Sequence, residues 1–139
     1  MKHESRLVVR SYECDANGHV NNAVYLNYLE TARVDFLRSV GVTYRELRER
    51  GFGLMVVRIC IDFKDEARMD DALLVVTEPI KRRFTGGTFS QKVFCEEDAA
   101  TRLVADAEVV WVCVDSRKKP VKLPDFLDGP ALHPAVPPA

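Results

Sequence analysis

The sequence predicts an α+β domain in which a strongly curved antiparallel sheet wraps one long helix. Two periodicities lead there. Residues 22 to about 40 carry their apolar side chains at helical spacing, with Tyr25, Leu29, Ala32 and Phe36 in one stripe. Beyond residue 53 the period drops to two, in runs at 54–63, 72–80, after Gly86, and 103–114, all rich in β-branched and aromatic residues. An antiparallel sheet can leave one face to water while a single helix covers the other.

The composition suits that plan. The 139 residues are 47% hydrophobic and 29% charged, the mix of one soluble globular domain. Twenty Lys and Arg against 21 Asp and Glu leave a net charge of −1, which argues against a protein that coats nucleic-acid phosphate. No run reaches the roughly 18 apolar residues of a membrane-spanning helix, and the start lacks the apolar core of a secretion signal. Cys14, Cys60, Cys95 and Cys113 form no CxxC pair, so the expectation is free thiols in a cytoplasmic protein, without a metal site or cofactor.

Taken in order, Leu7, Val8 and Val9 between charged neighbours predict a first strand at 6–12. Asp15-Ala16-Asn17-Gly18 is turn chemistry, because Asn and Gly tolerate a left-handed backbone. Asn21 or Asn22 caps the long helix; Leu26, Leu37 and Val40 flank its stripe, Glu30, Arg33, Asp35 and Arg38 lie to the sides, and Gly41 ends it. A short second helix is expected at 43–50, closed by Gly51. The four long strands follow, with turns at Asp70-Asp71, at Gly86-Gly87 as the divider of the next two, and at 97–100. The domain is expected to end near residue 116. Residues 117–139, with Pro120, Pro124, Pro130, Pro134, Pro137 and Pro138, cannot continue a sheet and are expected to dock through Leu123, Phe126 and Leu127, then fray.

The chemistry concentrates before the long helix. Asp15, Asn17 and His19 sit at alternate positions, an acid, an amide and an imidazole beside a helix start. Unpaired first-turn amides and the helix dipole attract developing negative charge there. A carboxylate next to such a site can attack as a nucleophile or act as base on water. The same residues also suffice for a plain polar turn.

The run Tyr12-Glu13-Cys14-Asp15, Gly18-His19-Val20-Asn21-Asn22, Tyr25 and Tyr28-Leu29-Glu30 resembles the signature of hot-dog-fold thioesterases, the 4-hydroxybenzoyl-CoA thioesterase-like family. The plant acyl-carrier-protein (acyl-ACP) thioesterases share Asp15, Asn17, His19 to Asn22 and Tyr25 especially closely. The resemblance implies a hot-dog fold and hydrolysis of acyl-CoA or acyl-ACP in a homodimer or homotetramer. It implies Asp15 as nucleophile or general base, Asn17 and His19 as orienting groups, and the amide near Asn22 as the carbonyl polariser. Glu66 aligns with a catalytic glutamate of the plant branch.

Tyr25 is a candidate for lining the acyl site. Lys81-Arg82-Arg83 before Thr85-Gly86-Gly87 is a candidate grip for the phosphates of a coenzyme A substrate, since arginine forks suit phosphate oxygens. Two rivals share the fold: an enoyl-CoA hydratase or dehydratase, whose Asp-x-Asn-Pro-x-His pattern lacks a match in its proline and histidine spacing here, and a non-catalytic acyl-CoA-binding domain.

Overall fold

The computed structural model describes residues 1–98 and 100–135. Ala99 of the expected 97–100 turn, and Pro137 and Pro138 of the tail, lie outside them. The elements run β1 (His3–Val8), a 3-10 turn (Ser11–Glu13), α1 (Asn22–Ser39), α2 (Tyr44–Glu49), β2 (Phe52–Phe63), β3 (Ala72–Arg83), β4 (Gly86–Glu97), β5 (Ala100–Asp115) and a 3-10 turn (Pro130–Leu132). The five strands form one antiparallel sheet in the order β1-β3-β4-β5-β2, packed on α1. No helix among the described residues is long and apolar enough to cross a membrane.

α1 starts where Asn21 turns its side-chain oxygen to the Ala23 N–H, and it presents Tyr25, Leu29, Ala32 and Phe36 to the sheet. Alternate residues of β4 and β5 answer them: Phe89, Val93 and Cys95, then Ala107, Val109 and Trp111. The core divides in two. Around the first half of α1, Tyr25, Tyr28 and Leu29 pack on Val75, Val93 and Ala105. Around its second half, Phe36 and Leu37 pack on Phe89, Trp111 and the tail residues Leu123, Leu127 and Leu132. Arg33, expected at the helix side, is instead buried at 8% exposure.

Three boundaries differ from expectation. β1 occupies His3–Val8 rather than 6–12, because the Glu13 carboxylate accepts the Arg10 N–H at 2.7 Å and folds Ser11–Glu13 into a turn. Gly86 and Gly87 open β4 rather than divide the strands. A Cβ at Gly86 would overlap the Trp111 carbonyl and one at Gly87 the Lys81 carbonyl, so both allow close strand approach. The tail holds further than expected: Leu132 is buried at 2%, beyond Leu127. Its backbone joins the end of β5, with Asp115 N–H donating to Lys119 O and Val121 N–H to Cys113 O, while Pro120 between them needs no partner.

Candidate active site

The loop that leads into α1 is fixed by its own backbone hydrogen bonds. Gly18 takes a left-handed φ of 85°, its N–H donates to Asp15 O, and the Asp15 N–H donates to His19 O. Asp15 Oδ1 accepts the Asn17 N–H at 2.9 Å. The far side of the loop docks on residues 64–71, where Val20 N–H donates to Ala67 O and His19 pairs with Arg68. At its root lies Glu13, 8% exposed, whose carboxylate accepts from the Arg10 backbone and, at 3.0 Å, from the Tyr28 hydroxyl. Burial first, and the Glu13 carboxylate second, push the Tyr28 phenol well above its ordinary range.

The turn brings an imidazole between two carboxylates. His19 Nδ1 lies 3.8 Å from Asp15 Oδ2, and Nε2 lies 3.9 Å from Glu66 Oε1. His19, Asn22, Tyr25, Phe63, Asp65 and Glu66 line an open cleft of about 390 Å³. Asp15, half-buried beside His19, does not itself line the cleft. At the helix start, Asn21 engages Ala23 through its side chain and Val24 through its carbonyl. Among the described residues this leaves the Asn22 N–H without an acceptor, at the positive end of α1. Asn17 shares the turn but is exposed and does not line the cleft.

Glu66 is held by its neighbours. Arg68 Nη2 donates to Glu66 Oε2 at 3.0 Å, and Arg102 Nη1 donates to the Glu66 carbonyl at 2.6 Å. Arg102 also pairs with Asp65, Asp71 and Glu97. The Glu66 N–H, with help from Arg102, takes the Asp65 carboxyl below its ordinary range. Sequence reasoning missed Arg102 because it reaches residues 64–71 from β5, and no local pattern announces that meeting.

The residues expected to grip phosphate lie elsewhere. Phe63 pairs with Ala105 and Gly86 pairs with Val112, seven residues along β5, so within one chain the two regions are roughly 24 Å apart. Arg82 has an 11% exposed side chain and is consumed by Asp128 and the Gly86 carbonyl, both at 3.1 Å, so it fastens the tail. Gly86 is buried in the sheet, and the Thr85 carbonyl accepts the Cys113 N–H. Arg83 remains more open: it donates to Thr88 and shares a cleft of about 400 Å³ with Arg58 and Lys81. Another cleft, of about 430 Å³ between α2 and the starts of β2 and the tail, holds none of the expected residues.

Residues 9–130 match the thioesterase-like superfamily. The chain is 32% identical over 136 residues to the acyl-acyl carrier protein thioesterase ATL3 of Arabidopsis thaliana, a chloroplastic protein; the match covers 94% of this chain and 68% of that one. It is 31% identical over 112 residues to the long-chain acyl-CoA thioesterase FadM of Escherichia coli, covering 81% and 83%. In fold it is similar to a crystal structure of a 4-hydroxybenzoyl-CoA thioesterase mutant complexed with 4-hydroxybenzoyl-CoA, at a TM-score of 0.85 and 20% identity, over 91% of this chain and 95% of that one. The five-stranded sheet on a central helix is therefore the hot-dog fold.

Proposed function

The chain belongs to the thioesterase-like superfamily of thioester hydrolases, and from that premise we propose that it cleaves acyl-CoA or acyl-ACP to a free acid and a thiol at the His19 cleft. One conjunction supports this reading: a free helix-start amide at Asn22 beside an imidazole flanked by Asp15 and Glu66. The thioester carbonyl oxygen points at the Asn22 N–H. As the tetrahedral intermediate forms, its oxyanion meets that donor and the dipole of α1, a contribution on the order of 3 kcal/mol to the barrier.

Asp15 supplies the negative oxygen, attacking the carbonyl carbon directly or drawing a proton from the water that attacks it. His19, held between two carboxylates, orients the acid and passes a proton to the departing sulfur. Collapse of the intermediate breaks the C–S bond. In the base route the proton that Asp15 took from water passes through His19 to the thiolate, and the free acid forms at once. In the attack route an acyl anhydride is left on Asp15; water then cleaves it to the free acid and the regenerated carboxylate, while the thiolate takes the second proton. A thioester is electrophilic enough that the route needs no serine triad.

The unit that performs this is a homodimer or a larger homo-oligomer. β2 ends the sheet with a free edge on which Met55, Val56, Val57 and Phe63 are each at least 40% exposed, a surface that pairing with a second copy would cover. Arg58, Lys81 and Arg83 form the more suitable grip for substrate phosphates, since Arg82 is occupied. That grip serves a site across the dimer.

Asp15→Asn tests the assignment, because asparagine keeps the acceptor for the Asn17 N–H while removing the charge. Thiol release across a panel of acyl-CoAs and one acyl-ACP is expected to fall about 10²–10³-fold with the melting temperature unchanged. Turnover that survives would remove Asp15 from the chemistry.

A further inference from the structure

Two separate clefts lie along α1 and β2. The walls of the His19 cleft include Asn22 and Tyr25 from the helix and Phe63 from the strand. A second cleft, of about 400 Å³, begins one position further along the helix. Leu26, Glu30 and Arg33 line it from α1, and Val56 and Ile59 from β2. Leu26, Val34, Leu54, Val56 and Ile59 give this cleft an apolar side, while Asn27, Glu30, Arg33 and Tyr44 make the rest polar. Asn22 and Arg33, eleven residues apart on α1, are roughly 16 Å apart along its axis, which is the length of a long acyl chain.

The far end is not apolar. Arg33 is 8% exposed, and its Nη1 donates to Gln91 Oε1 at 2.9 Å. Gln91 is itself locked, its amide donating to Leu29 O and Thr77 Oγ1, both at 3.0 Å, so its oxygen is aimed at the guanidinium. Among the described residues no carboxylate lies within ion-pair distance of Arg33, and its remaining donors open on this second cleft rather than being sealed in protein. A guanidinium has five N–H donors, and a buried cation with most of them unused is costly. Tyr44 and Glu30 face the same space, and the Glu30 charge disfavours a second carboxylate there.

We propose that Arg33 is a specificity-determining residue that hydrogen-bonds a neutral oxygen, hydroxyl or keto, near the distal end of a long acyl chain. Its substrates are thus oxygenated long-chain acyl thioesters. This rests on the thioesterase reading above, with the reacting carbonyl at Asn22.

The test compares kcat/KM for ω-hydroxydodecanoyl-CoA and dodecanoyl-CoA, with butanoyl-CoA as a chain too short to reach Arg33. Wild-type protein is expected to favour the hydroxylated chain by about tenfold, the effect of one hydrogen bond to a charged group, expressed mainly in KM. Arg33→Met brings the ratio to near one. Equal wild-type values for the two long chains would overturn the inference without any variant having to fold. So would a preference that persists in folded Arg33→Met. No thiol release from any of the three would instead overturn the thioesterase reading.

Discussion

The two ends of α1 are built from different materials. Around its second half the helix is clamped by aromatic surface: Phe36 meets Phe89 edge-on at 5.3 Å, Phe89 stacks on Trp111 at 5.7 Å, and the tail closes over them with Leu123, Leu127 and Leu132. At its start the helix emerges from polar turns, with the His19 imidazole more than 3.5 Å from either carboxylate beside it. The difference teaches how the fold separates its packing from the site of the proposed chemistry. Both halves of the helix pack on the sheet, but only its start also leaves donors and charges incompletely paired, which is tolerable because that packing carries the fold.

The largest test of this contrast is Leu132→Ala, which removes a fully enclosed side chain from the core around the second half. It should lower stability by about 2–4 kcal/mol, read by urea or thermal unfolding. Thiol release measured well below the unfolding transition should stay within twofold of wild type. A parallel loss of both would show that the two ends are not separable.

A smaller effect is expected from Arg102→Met, which sits at the other end of the comparison. It breaks the Arg102 pairs with Asp65, Asp71 and Glu97 and its hydrogen bond to the Glu66 carbonyl, so residues 64–71 lose their tie to β5 and Glu66 its fixed place beside His19. We expect kcat/KM to fall about tenfold with only a modest change in melting, since exposed ion pairs stabilise little. A large stability loss with unchanged kinetics would assign Arg102 to the scaffold instead.

The smallest concerns the tail latch. Burial alone would raise the Asp128 carboxyl, but hydrogen bonds from Arg82 and His133 take it below its ordinary range. A carboxyl lowered in the folded state contributes stability above its unfolded pKa of about 3.9, and that contribution disappears as pH falls through the lower folded value. Asp128→Asn should therefore melt slightly earlier than wild type at pH 6, and the gap should shrink as pH falls below about 4. A gap that widens in acid would refute the assignment.

Local pattern revealed most of the architecture. The stripe on α1, its asparagine cap and the dense β-formers of β5 each reported their element, because period and capping are properties of neighbouring residues. The edges of β1 and the role of Gly86 and Gly87 were not legible, since they depend on which strand lies alongside. The site divides in the same way. Asp15, His19 and Asn22 are close in sequence, and turn chemistry alone groups them. Glu66 entered through family resemblance, and Arg102 and Arg33 acquire meaning only from partners far along the chain. Arg82 was misjudged for the converse reason: a basic run looks like a phosphate grip until Asp128 is seen to occupy it.

Glu13 gives the reactive loop a property of its own. By gripping the Arg10 backbone and the Tyr28 hydroxyl together, this enclosed carboxylate rivets the loop's root to the body of the helix. Asp15 and the Asn22 amide then belong to one frame. On the proposed mechanism both are in register when a substrate arrives, and a cycle begins without having to organise its own machinery.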